Sequence, residues 1–209
     1  MPNPIPHLTV LLCASAMGVQ AAAEVERVHN PHATAVEYRL APGETLAMES
    51  RPAVTVYLEG GAVAQGDEFS SKKMTLERGQ VQFTPAGPTS IRNVGNSELR
   101  FVRIEFAGAG TKDVWGKTGL APNYKLVTEN NYTRIYDIRI PAGTTEPQHT
   151  HHDRVVVCLS GAKLRHLTAD GREETATLET GEIVWRAAST HVGKNLGNTD
   201  LWVIAVEPK

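Results

Sequence analysis

The chain nearly repeats itself, and this constrains its fold more than any other feature. The run Asn93-Val-Gly-Asn-Ser-Glu-Leu-Arg-Phe-Val-Arg-Ile-Glu105 returns as Asn195-Leu-Gly-Asn-Thr-Asp-Leu-Trp-Val-Ile-Ala-Val-Glu207. Asn30, Arg39, Gly43, Thr45 and Gly61 recur as Asn130, Arg139, Gly143, Thr145 and Gly161. After a short insertion, Leu76, Glu77 and Gly79 recur as Leu178, Glu179 and Gly181. So many kept spacings predict a duplicated domain. The expected division is a leader over 1–23, a first domain over 24–110 and a second over 111–209.

Each half reads as short strands bounded by turns, which predicts an all-β chain. Ala35–Leu40 precedes the Pro42-Gly43 turn, Ala53–Leu58 ends at Gly60-Gly61, and Val81–Thr84 enters Pro85-Ala-Gly87. Leu99–Phe106 alternates polar and apolar residues, as expected of a strand buried on one face. The second half follows through Thr133–Ile140, Arg154–Leu159, Gly161–Thr168, Ile183–Trp185 and Leu201–Val206, with a hairpin signal at Asp170-Gly171. Residues 108–124 are rich in Gly and Pro and read as the linker.

Chemistry concentrates between Gly143 and Asn195. His149 and His151 are two residues apart, so on an extended strand both imidazoles project from one face, with Asp153 next on that face. A return strand carrying His191 would complete three imidazole ligands, with Asp153 as the one acidic candidate for a fourth. The bland alternative makes these histidines hydrogen-bonded interior residues or remnants of a lost site; three ligand positions kept together favour a metal. At the corresponding places the first half carries Glu49, Arg51 and Thr89, and an Arg there is incompatible with a divalent cation. The first half is therefore expected to serve a structural or docking role, with a metal-free pocket lined by Glu49 and Arg51 as the alternative.

At these residues the sequence resembles the cupin superfamily. Gly143, His149, His151 and Gly161 match its first motif, and Gly181, His191 and Asn195 match its second. Two positions depart from it. The motif's Glu is missing: counting back from Gly161 reaches Arg154, and counting forward from His151 reaches Val155 or Val156. The Pro-x-Gly of the second motif is Ala187-Ala-Ser189. The resemblance implies two tandem jelly-roll, or double-stranded β-helix, barrels packed face to face, with homodimerisation through exposed strand edges as a further expectation. It admits dioxygenases, isomerases, decarboxylases and non-enzymatic binders. The expected cofactor is a divalent ion. Iron or manganese would suit oxygen-dependent cleavage, while zinc, manganese or nickel would suit isomerase, lyase or hydrolytic chemistry. A dioxygenase-type enzyme acting on a small molecule is the leading reading, a non-catalytic small-molecule or metal binder the competing one, and an oligomerisation scaffold the third. Asp153, Glu146 and Glu182 are the candidate general bases.

Other residues weigh less. His152 faces away from the pair and reads as a surface or packing residue; His166, between Lys163 and Arg165, reads as half-exposed; His29 and His32 read as turn residues. Tyr136, Arg139 and Trp185 are candidates for the pocket mouth, although a Trp among Val and Ile is more often core. Residues 1–23 contain no Asp, Glu, Lys or Arg and end in Ala21-Ala-Ala23, which suits a cleaved export signal and a periplasmic or secreted protein. A true start at Met17, with the protein staying in the cytoplasm, and an ordered N-terminal arm are the alternatives, because no basic residue precedes the apolar run. That run is too short for a membrane span. Loss of Cys13 with the leader would leave Cys158 alone as a buried thiol. A net charge of −2 with both signs interspersed argues against a nucleic-acid partner.

Overall fold

The computed structural model describes residues 22–49, 51–67, 70–112 and 121–209. The apolar run expected to belong to a leader and residues 113–120 of the expected linker lie outside the described residues. All regular structure among the described residues is β. The first half contributes β1 (Ala23–His29), β2 (Ala33–Leu40), β3 (Thr45–Met48), β4 (Ala53–Tyr57), β5 (Gly61–Gly66), β6 (Ser71–Leu76), β7 (Val81–Thr84), β8 (Thr89–Asn93) and β9 (Leu99–Phe106). The second contributes β10 (Tyr124–Glu129), β11 (Thr133–Ile140), β12 (His149–His151), β13 (Arg154–Ser160), β14 (Ala162–Thr168), β15 (Glu173–Leu178), β16 (Ile183–Arg186), β17 (Ser189–Asn195) and β18 (Leu201–Pro208). In the first half a five-stranded sheet runs β1-β2-β9-β4-β7 and a four-stranded sheet β3-β8-β5-β6; the second half has the same orders in β10-β11-β18-β13-β16 and β12-β17-β14-β15.

The recurring residues mark places where the backbone needs them. Asn30 Oδ1 accepts the amides of His32 and Ala33, closing the β1–β2 hairpin, and Asn130 Oδ1 does the same for Tyr132 and Thr133. Asn195 Nδ2 donates to the Ile140 and Thr199 carbonyls at 3.0 and 2.8 Å, while the Gly197 amide donates to its Oδ1 at 2.8 Å. Asn93 makes the matching three bonds to Leu40, Ser97 and Gly95. Asn195 is fully buried, so Asn195→Ala would strand two carbonyls and an amide. We expect a loss of about 3 kcal/mol in a denaturant titration, with Asn93→Ala matching it; a loss below about 1 kcal/mol would mean that water replaces the side chain.

The two five-stranded sheets meet face to face. Val54, Val56, Val102 and Ile104 of the first half share one apolar cluster with Val155, Val157, Ile204 and Val206 of the second. This packing corrects the expectation that Leu99–Phe106 is buried on one face only. β9 and its counterpart β18 are covered on both sides, by their own barrel interior and by the other barrel, as their burial shows. The continuous apolar run from Val155 to Leu159 has the same cause. Trp202 seals the junction over Gly79, where φ is +78° and a Cβ would collide with the indole. Trp185 also belongs to this junction, stacking on His32 with ring centroids 5.8 Å apart, and so does not line a pocket mouth. Arg139 lies over Trp202 at 4.1 Å, and Tyr136 is buried in the second barrel's core. Cys158 is a buried free thiol, as expected, and burial pushes its pKa up to about 12.

Candidate metal centre

Strand β12 is three residues long and turns His149 and His151 inward while Thr150 faces solvent. Antiparallel pairing with β17 sets His191 directly opposite His149. Among the described residues, these three histidines form the one group of three or more His, Cys, Asp or Glu side chains whose ligand atoms lie within 4.8 Å of one another. All three are buried. The Nε2 atoms of His149 and His151 are 3.0 Å apart. Two imidazole nitrogens each about 2.1 Å from one ion, at a right angle, would stand about 3.0 Å apart, so the spacing fits a shared divalent cation. His149 Nδ1 lies 2.8 Å from the Pro147 carbonyl, which can only accept; the hydrogen-bond network thus assigns the proton to Nδ1 and leaves the Nε2 lone pair free for a metal.

Burial is the main cause that keeps the His151 and His191 imidazoles neutral. It brings His191 down to about 3, with smaller effects from His166, His149 and Arg154, and pulls His151 lower still, helped by Arg154. Neutral imidazole is the form that binds a metal.

Asp153 does not join the group. Its Oδ1 accepts the Ala188 amide at 2.6 Å, so it braces the turn between β16 and β17. This corrects its expected place beside the histidines: β12 ends at His151, and the chain bends before β13 starts at Arg154. Three further groups surround the site. Tyr124, at the start of β10, places its Oη 3.1 Å from His149 Nε2 and 3.3 Å from His151 Nε2; burial raises its pKa well above the usual phenol value. Tyr124 therefore belongs to the site and not to a linker. Glu146 is 4% exposed, accepts from Asn123 Nδ2 at 2.8 Å, and has its pKa raised by burial. His166 pairs with Gly193 in register and lies 4.4 Å from the His191 ring, centroid to centroid. Gly193 leaves the space that these groups use, since a Cβ there would sit 2.8 Å from Glu146 Oε2 and 3.9 Å from the His166 ring. Glu182 is not in this set; its Oε2 accepts the Glu179 amide.

His151 and His191 form part of the wall of a cavity of about 380 Å³, whose apolar side is Ile138, Ile140, Val156, Leu164, Val203 and Ala205. The first barrel has its interior filled. Strand register places Tyr57, Phe101 and Arg103 where the second barrel has Cys158, Val203 and Ala205. Arg103 is 2% exposed and donates from Nη2 to the Glu49 and Arg51 carbonyls at 3.0 Å each. The side chains of Glu49 and Arg51 point to solvent, so they line no pocket, and register sets Met48 opposite Thr89 as His149 stands opposite His191.

Searches with the sequence find no matching protein-family model and no matching curated protein. Solved structures do match. A cupin 2 conserved barrel domain protein from Leptotrichia buccalis superposes with a TM-score of 0.57 at 13% identity, covering 90% of this chain and 89% of that one. The fold is that of the cupins. Its two barrels make this chain a bicupin in architecture. AerE from Microcystis aeruginosa is similar over 90% of this chain and 98% of its own, with a TM-score of 0.63 and 16% identity. Oxalate decarboxylase from Bacillus subtilis, a protein with Mn(II) centres, matches with a TM-score of 0.59 and 15% identity over 89% of this chain and 72% of its own. Salicylate 1,2-dioxygenase from Pseudoaminobacter salicylatoxidans, solved in complex with gentisate, gives a TM-score of 0.59 at 14% identity over 84% and 68%. At such low identities these superpositions establish the fold alone, and the reaction has to be argued from the site.

Proposed function

We propose that the second cupin barrel is a divalent-metal centre that takes a small molecule into the adjoining cavity and acts on it as a dioxygenase-type enzyme. The observation that carries this reading is the convergence of three buried imidazoles, two of which, His151 and His191, line a cavity of about 380 Å³, a volume suited to a small metabolite. A bound divalent ion supplies an electrophile with positions left open for an exogenous ligand. The chain supplies the rest. The Pro147 carbonyl orients His149, and Tyr124 Oη stands ready to donate a hydrogen bond beside the imidazole nitrogens. Glu146, held by Asn123 and raised in pKa by burial, holds a proton more readily than an ordinary carboxylate does, close to His149. The aliphatic wall excludes water from one side of the cavity.

A non-catalytic binding barrel is the second reading, favoured by one observation: among the described residues no carboxylate joins the three histidines. Elemental analysis of protein purified without an affinity tag tests both. We expect close to one equivalent of metal; iron or manganese accompanied by dioxygen uptake with a small-molecule substrate supports the enzyme, and zinc or nickel directs the search to non-redox chemistry. No metal after reconstitution with any of the four would overturn the metal centre.

A further inference from the structure

The cavity holds a buried cation that the metal centre does not use. Arg154 opens β13 at the position reached by counting back from Gly161 to the motif's missing Glu, and its side chain lines the cavity beside His151 and Tyr124. It is only 7% exposed. Nη1 donates to the carbonyls of His152 and Ala187, at 3.1 and 3.3 Å. Among the described residues, Nε and Nη2 have no hydrogen-bond partner and no carboxylate pairs with Arg154. Nearby acids are engaged elsewhere: Glu207 accepts from Arg134 at 2.8 Å, Asp153 from the Ala188 amide, and Glu146 from Asn123.

A nearly buried guanidinium with three of its five N–H donors open only to the cavity is costly unless something anionic completes it. Placing a cation where the fold can carry a metal-ligating carboxylate makes the imbalance larger, because three neutral imidazoles cancel none of a divalent ion's charge. An incoming anion would satisfy both. A planar carboxylate matches the guanidinium fork through two parallel hydrogen bonds, and the opposite wall of Ile138, Ile140, Leu164 and Val203 suits a compact apolar body.

We infer that Arg154 anchors the carboxylate of the cavity's ligand, and that this ligand is a small carboxylic acid with an apolar body. The inference rests on reading this cavity as the functional site, but not on the identity or presence of the metal.

The test titrates metal-free and zinc-loaded wild type with 4-fluorobenzoate and its neutral isostere 4-fluorobenzamide, followed by fluorine NMR. The carboxylate should bind at least tenfold more tightly than the amide. That advantage should fall below threefold in Arg154→Gln and survive in part in Arg154→Lys. Zinc content and near-UV circular dichroism are read on the same samples. A wild type that binds both probes alike, or neither, overturns the inference; so does a folded Arg154→Gln protein that keeps the full advantage. Should Arg154→Gln fail to fold, the wild-type comparison and Arg154→Lys decide. A carboxylate preference in wild type that never takes up zinc or another metal would sink the metal centre and leave the anion anchor standing.

Discussion

The His149→Ala/His151→Ala protein is expected to emerge from purification without metal, where the wild type carries close to one equivalent. A three-imidazole site divides its binding energy among few ligands, and structural zinc sites gain about 10–16 kcal/mol in total, so each ligand is worth roughly 3 kcal/mol. Losing two removes roughly 6 kcal/mol, more than a ten-thousandfold in affinity at about 1.4 kcal/mol per factor of ten. The fold should survive. Strand β12 is a three-residue piece at the end of its sheet, and the interior packing of the second barrel rests on Ile138, Val156, Leu164 and Val203. Elemental analysis and a thermal melt, run on metal-free samples of both proteins, separate the two effects. A double variant that keeps stoichiometric metal would place the ion elsewhere; one that loses metal because it unfolds would show in the melt.

Metal-free wild type should lose stability on acidification, beginning near the ordinary imidazole range. In the folded chain His191 titrates at about 3 and His151 lower still, both mainly because burial disfavours the charged ring. The unfolded chain takes up these protons at about 6.5, so below that pH it binds more protons than the folded chain and unfolding gains free energy. Each ring contributes up to about 1.4 kcal/mol per pH unit, so the pair sets a ceiling of roughly 4 kcal/mol between pH 6.5 and 5. Glu146 acts in the opposite sense, since burial raises its pKa and the folded chain takes up that proton first. Urea titrations of the metal-free protein at pH 7.5 and 5.0 measure the sum, and His151→Ala/His191→Ala should flatten the difference. An equal acid loss in that variant would assign the sensitivity to other groups. Bound metal should suppress the effect, because it holds the same nitrogens in their neutral form.

Much of this molecule was legible in one dimension. The doubled Asn30/Asn130, Asn93/Asn195 and Gly79/Gly181 fix hairpins and turns through local hydrogen bonds and backbone angles that sequence neighbours supply, so their recurrence predicts two similar barrels. His149 and His151 were readable for the same reason: a two-residue spacing on a strand dictates a shared face. Residues placed by long-range register were hidden. Tyr124 follows a Gly/Pro-rich stretch that reads as linker, and it reaches the histidines because β10 pairs with β11. His166 reads as half-exposed among basic neighbours, and it is, but only pairing across from Gly193 sets its ring beside His191. Glu146 lies in a loop aimed by its amide's bond to the Gly193 carbonyl, at 2.7 Å.

The sequence by itself determined the all-β class, the two-barrel plan and the three histidines, because each follows from local periodicity or from a residue whose conformational demand is met by its own neighbours. Tertiary structure alone decided which barrel is open. Arg103, Tyr57 and Phe101 point into one interior while Ala205, Cys158 and Val203 point into the other, and the volume left between side chains is a property of strands brought together from across the chain. It also decided that Arg154 faces the cavity with part of its donor fork unused, while Asp153, one residue earlier, turns away to brace a backbone amide.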